Sequence, residues 1–313
     1  MSLFPAPILT NGATHSAQQF RMLVRDLANG AEGITQGDDL KVTQRSTPGG
    51  GVLVGDGSGV VKGRANVFQG HYAACNIGAV DVPIAATGSG GGRSDMVILR
   101  IEDPEYEGSL NPATDEIAYF QVISGVSSSA TTIPDGRTGI PLARIDIPVS
   151  TSTITDAMIT DLRSCANARR RRSVFTQSPG SMSTGIGSSL SYSYFSTAAG
   201  WNISIPDWAT KAIVKIDVSP IRYDLGNFFG KIGATFGASL TTQDVTLDDN
   251  QGSGVRRIPA IIGDTLTVPA TYRGATQLLR VRAAGLTSGQ AARIYVDSGT
   301  TLIADVQFEE APR

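Results

Sequence analysis

The sequence predicts an all-β protein: two antiparallel β-sandwich domains joined by a short helix, with one amphipathic helix near the N-terminus. Three observations lead there. Short runs rich in Val, Ile, Tyr and Phe recur along the chain, and Gly, Asp, Ser or Pro stands at each junction, which is the cadence of strands and tight turns. The 36 glycines, set among many Thr and Ser, disfavour helix. At 313 residues the chain exceeds the commonest single-domain size, so two domains are expected.

The first element is the expected helix, in "SAQQFRMLVRDLANG". Ser16 with Gln19 three residues on reads as a capping box, and Phe20, Leu23, Val24 and Leu27 recur at helical spacing. Asn29-Gly30 closes it with a pair that tolerates the left-handed region. Strand-like runs follow, among them "DLKVTQRS", "GGGVLVGDGSGVVKG", "SDMVILRIED" and "IPLARIDIP". Next, "TSTITDAMITDLRSCANARRRR" pairs Thr153 with Asp156 as a cap. It spaces Ile154, Met158, Leu162 and Cys165 by 4, 4 and 3, a narrow apolar stripe of the coiled-coil type. The four arginines at 169–172 suit a helix C-terminus. Beyond them the strand cadence returns; "AIVKIDVS" alternates Ile213, Lys215 and Asp217 against Val214, Ile216 and Val218, and "TLIADVQFEE" reads as a closing strand. The organisation expected is therefore a β-domain over 1–150, an oligomerising helical linker over 151–173 and a second β-sandwich over 174–313.

Composition excludes several function classes. Hydrophobic content of 41 % supports packed cores, and a formal net charge of −2 lacks the basic footprint of a nucleic-acid binder. No run approaches the length of apolar residues needed to span a bilayer, and the N-terminus lacks the pattern of a signal peptide. Cys75 and Cys165 have neither a disulfide framework nor metal-ligand spacing, and both are expected reduced. His15 and His71 are expected to be structural. His71 and Cys75 lie four residues apart on a strand, roughly 13 Å, too far for proton transfer. The glycine-rich "PGGGVLVGDGSG" and "TGSGGGRSD" lack the lysine and following helix of a phosphate cradle and read as hairpin loops. "TLDDNQGSG" lacks the ligand spacing of a calcium loop. No metal and no cofactor are expected.

The acidic stretch "GGRSDMVILRIEDPEYEG" calls for separate treatment. Asp95 lies on a strand, where Arg93 is placed to pair with it. Glu102, Asp103, Glu105 and Glu107 fall past the strand end beside Pro104, in ordinary turn chemistry. The stretch reads as a strand end, not as an acid/base pair.

The order of pieces in the N-terminal half resembles the amino-terminal domain of minor tail and baseplate proteins of long-tailed phages, notably those infecting actinobacteria. Gly55, Gly63, Gln69, Gly70, Tyr72, Arg93, Asp95, Arg100 and Asp103 stand where that family's motif residues stand. "IPLARIDIPVSTSTITDAMITDLR" resembles its "P-L-A-x-I-x-I-P" and "I-T-D-x-R" segments. The resemblance covers about residues 10 to 165 and carries no catalytic residues. It implies a virion component made in the host cytoplasm and placed at the tail tip or baseplate. It further implies a homotrimer, with Ile154, Met158, Leu162 and Cys165 as the axial seam, among other tail proteins as partners. The outward domain would bind host cell-wall glycan or tail proteins, and Trp201, Trp208, Tyr192, Tyr194 and Tyr223 are the candidate sugar platforms. The alternative is a cell-wall glycan depolymerase, for which Asp207, Asp217, Asp224 and Asp248 would supply the acids.

Overall fold

The computed structural model describes residues 4, 7, 8, 10–196 and 199–313. It is an all-β structure in which every strand pairing is antiparallel, apart from one isolated parallel bridge. The chain divides into two compact units. Unit 1 comprises Met1–Ala168 with Ala311–Arg313, and unit 2 comprises Arg169–Glu310.

Among the described residues, unit 1 holds three sheets and one α-helix. The helix α1 (Ala17–Leu27) begins as the sequence indicates: the Gln19 amide donates to Ser16 Oγ at 3.2 Å, and the Ser16 amide donates to Gln19 Oε1 at 2.9 Å. Asn29 (φ 53°) and Gly30 (φ 73°) turn the chain at its end. A four-stranded sheet runs in the order Ile159–Asp161, Gly139–Ile147, Arg93–Ile101, Ala118–Val126. Its strand Arg93–Ile101 is buried on both faces from Asp95 onward, because other elements cover both sides. Val97, Leu99, Leu142 and Ile145 meet Ile34, Val52, Val61 and Val82 from the two smaller sheets in one apolar core. Burying side chains of this size stabilises by about 1.5–3 kcal/mol each.

The expected helical linker does not form. Residues 151–168 belong to unit 1 as an extended strap with one 3-10 turn, Asp156–Met158, followed by the strand Ile159–Asp161. Ile154 is 1 % exposed and hydrogen-bonds to Gly49, while Met158 and Cys165 pack against the unit 1 core. The Leu162 amide donates to the Leu142 carbonyl at 3.0 Å, and its side chain is half-buried. All four stripe residues are thus engaged within one chain, and the axial seam loses its structural basis. Thr151, Thr153, Thr155 and Thr160 explain the difference, since β-branched residues lose χ1 freedom in a helix and favour extended chain. The arginine run also differs from expectation: it opens the strand Arg170–Gln177 rather than ending a helix. Of the two glycine-rich loops, the first forms a hairpin with Gly49 opposite Gly51. The second carries the chain from one sheet to another.

Unit 2 is a two-sheet sandwich. One sheet runs Arg170–Gln177, Thr301–Glu309, Lys211–Asp224, Arg256–Thr267, and Arg293–Tyr295 also pairs with the third of these. The other runs Ser193–Tyr194, Thr276–Gly285, Phe228–Phe236, Leu240–Thr241. Gly200–Ser204 pairs with its second strand and Val245–Asp249 with its third. The alternation read in "AIVKIDVS" is realised: Val214, Ile216 and Val218 are buried and Lys215 and Asp217 face out. They meet Ile232, Ala234, Leu279 and Val281 of the facing sheet in one core.

Candidate binding face

The acidic stretch resolves into a knot that holds α1. Arg21, 8 % exposed, donates from Nε to the Gln69 carbonyl at 2.8 Å and from Nη2 to Glu105 Oε2 at 2.7 Å and Tyr106 Oη at 3.0 Å. Its Nη1 lies 3.3 Å from Asp103 Oδ2, which also accepts from the Tyr72 hydroxyl at 2.7 Å. Gln69 Nε2 donates to Tyr72 Oη at 3.0 Å. Burial, with the Asp103 carboxylate bonded to its hydroxyl, holds the Tyr72 phenol well above its ordinary range. A Cβ on Gly70 (φ 78°) would lie 2.8 Å from the Arg21 backbone, so glycine lets the helix approach. The remaining acids are also engaged. Arg93 grips Asp95 through two 2.8 Å hydrogen bonds, Arg100 pairs with Glu107 at 3.1 Å, and the Tyr119 hydroxyl donates to Glu102 at 2.7 Å. Asp95, wholly buried, also accepts the Gly125 amide at the bulge in the neighbouring strand. The strand-end reading of these carboxylates holds.

This seating turns α1 over. Gln19 and Arg21 are its buried side chains, and Phe20 (47 %) and Leu27 (72 %) are exposed. Phe68, whose carbonyl accepts from Gln18 on a different side of the helix, is also exposed.

The five aromatic candidates separate into two groups. Trp201 and Tyr223 lie in the unit 2 core; Tyr223 meets Phe228 edge-on at 5.7 Å, and burial together with Asp249 pushes its phenol up to about 12. Trp208 packs against the same core with the Arg169 guanidinium 5.3 Å above its ring. Trp201 and Tyr223, both buried, present no sugar platform. Tyr192 and Tyr194 instead stand on the outer face of the sheet that contains Thr276–Gly285.

That face is ordered by strand register. Tyr194 lies opposite Arg282, which lies opposite Gly233; Arg280 lies opposite Thr235, and Lys231 opposite Ala284. Diagonal neighbours on such a face are within reach of long side chains. Accordingly Arg280 sits 4.4 Å over the Tyr194 ring, Arg282 3.8 Å over the Tyr192 ring and Lys231 4.4 Å over Tyr192. The Tyr192 hydroxyl donates to the Asp244 carboxylate, whose Oδ2 lies 3.6 Å from Lys231 Nζ. The Tyr192 hydroxyl, with Asp244, holds the Lys231 ammonium above its ordinary range. A Cβ on Gly233 would lie 2.6 Å from Asp244 Oδ1, so glycine keeps the middle of the face flat.

Of the acids named for hydrolysis, Asp217 and Asp224 do not converge. Asp217 pairs with Lys215 at 3.2 Å, and Asp224 pairs with Arg222 at 3.0 Å, seven residues along the same strand, roughly 20 Å away. Asp248 is on the other sheet and accepts from Asn250 at 3.2 Å, and Asp207 lies in the loop before Lys211–Asp224. A glycosidase pair needs about 5–10 Å across a cleft. The sequence reading missed Lys231, Arg280, Arg282 and Asp244. Part of the signal was present, since "RVR" and "YSY" each place two side chains two apart, on one strand face.

No family model matches the chain, and no curated protein matches it. Among solved structures, that of infectious bursal disease virus Gx strain has a TM-score of 0.26 at 10 % identity, covering 91 % of this chain and 76 % of that chain. The infectious bursal disease virus VP2 subviral particle gives 0.24 at 14 %, covering 96 % and 88 %. BuGH86wt in complex with neoagarooctaose gives 0.24 at 7 %, covering 86 % and 34 %. Scores at this level carry no argument about function.

Proposed function

We propose that the chain is a non-enzymatic structural component of a phage tail tip or baseplate, in which unit 1 docks on neighbouring tail proteins and unit 2 displays a binding face. The observation that carries this reading is the convergence of motif residues on one knot. Gly70, Gln69, Tyr72 and Asp103, which carry the resemblance, all serve to seat α1. That seating leaves Phe20 and Leu27 exposed on one side of α1, and exposed apolar side chains sharing a face mark contact surfaces. We assign this apolar side of α1 to the contact with tail proteins. In unit 2 Asp217 and Asp224, two of the acids named for hydrolysis, are each paired with a cation and stand roughly 20 Å apart along one strand, whereas three cations sit over tyrosine rings on an outer sheet face.

The test is immunogold electron microscopy of purified particles with antibody against unit 2. Label at the tail end, lost when Phe20→Glu and Leu27→Glu are introduced together, is the expected result. Particles that carry no copy of the chain would overturn the reading.

A further inference from the structure

We propose that the outer face formed by Tyr192, Tyr194, Lys231, Arg280 and Arg282 binds an anionic polysaccharide, one whose chain carries repeating carboxylates or phosphodiesters. The inference rests on the reading of unit 2 as a displayed binding module and names what that module takes.

Most arginines of the molecule are matched to acids, among them Arg93 with Asp95, Arg144 with Asp146, Arg163 with Asp161, Arg169 with Glu310 and Arg257 with Asp297. Arg171, Arg273 and Arg293 bond to backbone carbonyls instead. Arg280 and Arg282 form no ion pair among the described residues. Arg280 reaches only the Phe195 carbonyl, at 3.4 Å, and Arg282 Nε is buried with no hydrogen-bond partner. Both point to the same side of one strand, about 7 Å apart. With Lys231 they place three cations against one carboxylate, Asp244, on that face.

The tyrosines fix the chemistry further. A neutral sugar needs a free aromatic face, and a nucleic acid needs bare rings on which bases stack. Here guanidinium and ammonium groups already cover the Tyr192 and Tyr194 rings. Tyr192 carries two cations and Tyr194 one, so the surface offers a ligand cations held in place by the rings beneath them. A guanidinium so held keeps its N–H edge for a carboxylate or phosphate oxygen and loses little freedom on binding. The cations are spread over two neighbouring strands and do not converge on one point, so they suit a chain of spaced charges rather than one small ion. Gly233 at the centre leaves room for that chain to lie across the strands.

The experiment measures binding of the full-length protein to three immobilised polymers: polygalacturonate, a polyglycerol-phosphate teichoic acid and neutral dextran. The variants are Arg280→Gln with Arg282→Gln, and, as a control, Arg171→Gln, an exposed arginine of the other sheet bonded to the Ser204 carbonyl. The expected result is binding to one or both charged polymers but not to dextran, weakened by added salt. The double variant should lose about tenfold or more in affinity, with the control unchanged and tryptophan emission unaltered in both. Preference for polygalacturonate assigns the charge to a carboxylate, and preference for teichoic acid assigns it to a phosphodiester. Equal affinity of the double variant, equal binding to dextran, or no binding to either charged polymer would overturn the inference. If the chain labels tail tips but binds no charged polymer, only this inference falls. If it binds the polymer but is absent from particles, the virion reading falls and this one stands.

Discussion

Arg21 and Asp103, 82 residues apart in sequence, meet with Nη1 3.3 Å from Oδ2, and both side chains are about nine-tenths buried. The contact ties the only α-helix among the described residues to the turn that follows a core strand. Replacing Arg21 with Gln leaves the Asp103 carboxylate without its cation, a loss of about 3 kcal/mol for a buried pair. The amides of residues 17–27 should then exchange faster with solvent. The tryptophan emission transition should not move, because Trp201 and Trp208 both lie in unit 2. Unchanged exchange would show that α1 is held by other contacts.

Tyr72 makes the same knot sensitive to base. Its phenol is raised by burial and by Asp103, so the stabilisation it gives is fully present below the unfolded value of about 10 and is lost as pH rises beyond it. Thermal melts of unit 1, followed by exchange or near-ultraviolet dichroism, should fall above pH 10. Tyr72→Phe should be less stable at neutral pH by about 1–2 kcal/mol and should lose the alkaline step attributable to this group. A step of equal size in the variant would assign it elsewhere.

Ile154 separates the two readings of the strap. As a core residue it should cost about 2–5 kcal/mol when cut to Ala, with the solution mass unchanged by light scattering. A fall in mass without loss of stability would restore the association seam.

Unit 2 has its own acid limit. Asp297 accepts from Arg257 Nη1 at 2.9 Å, from Nη2 at 2.7 Å and from the Gly299 amide at 2.9 Å. The guanidinium holds this carboxyl below its usual range. Stability from the pair is therefore present above the unfolded value near 3.9 and lost as pH falls through the lower folded value. The urea midpoint read by tryptophan emission should drop below pH 4, and Asp297→Asn should flatten that part of the profile. A profile of the same shape in the variant would place the acid sensitivity in other pairs, such as Arg172 with Asp305.

What the sequence made legible follows the range of the forces involved. The capping box of Ser16 and Gln19, the alternation from Ala212 to Val218 and the end of the strand at Ile101 are local matters, and all are present. The facing of α1 is not local. Its Phe20, Leu23 and Leu27 stripe indicates a buried apolar side, but Arg21 finds partners 48 to 85 residues away, and these decide which side is covered. The strap failed for a different reason. Spacings of 4, 4 and 3 satisfy a helix and equally an extended chain that touches a core at intervals, and only the threonines distinguish them. On the outer face of unit 2, Tyr192 and Tyr194 were visible as aromatics. Their covering by Arg282, Lys231 and Arg280 depends on strand register, which the sequence does not display.

The last three residues return to unit 1. Arg313 binds Asp38 through Nε and Nη2, each at 2.6 Å, and its carbonyl accepts from Arg163 at 3.1 Å. Unit 2 is therefore an insertion between Ala168 and Ala311, entered by Arg169 and left by Glu310, whose backbones are hydrogen-bonded to each other at 3.1 Å. Two exchanges of sequence at that point would replace the whole of unit 2 while conserving the core and helix knot of unit 1. One body of the fold is thus exchangeable as a cassette whose two ends already meet, and the other closes on itself without it.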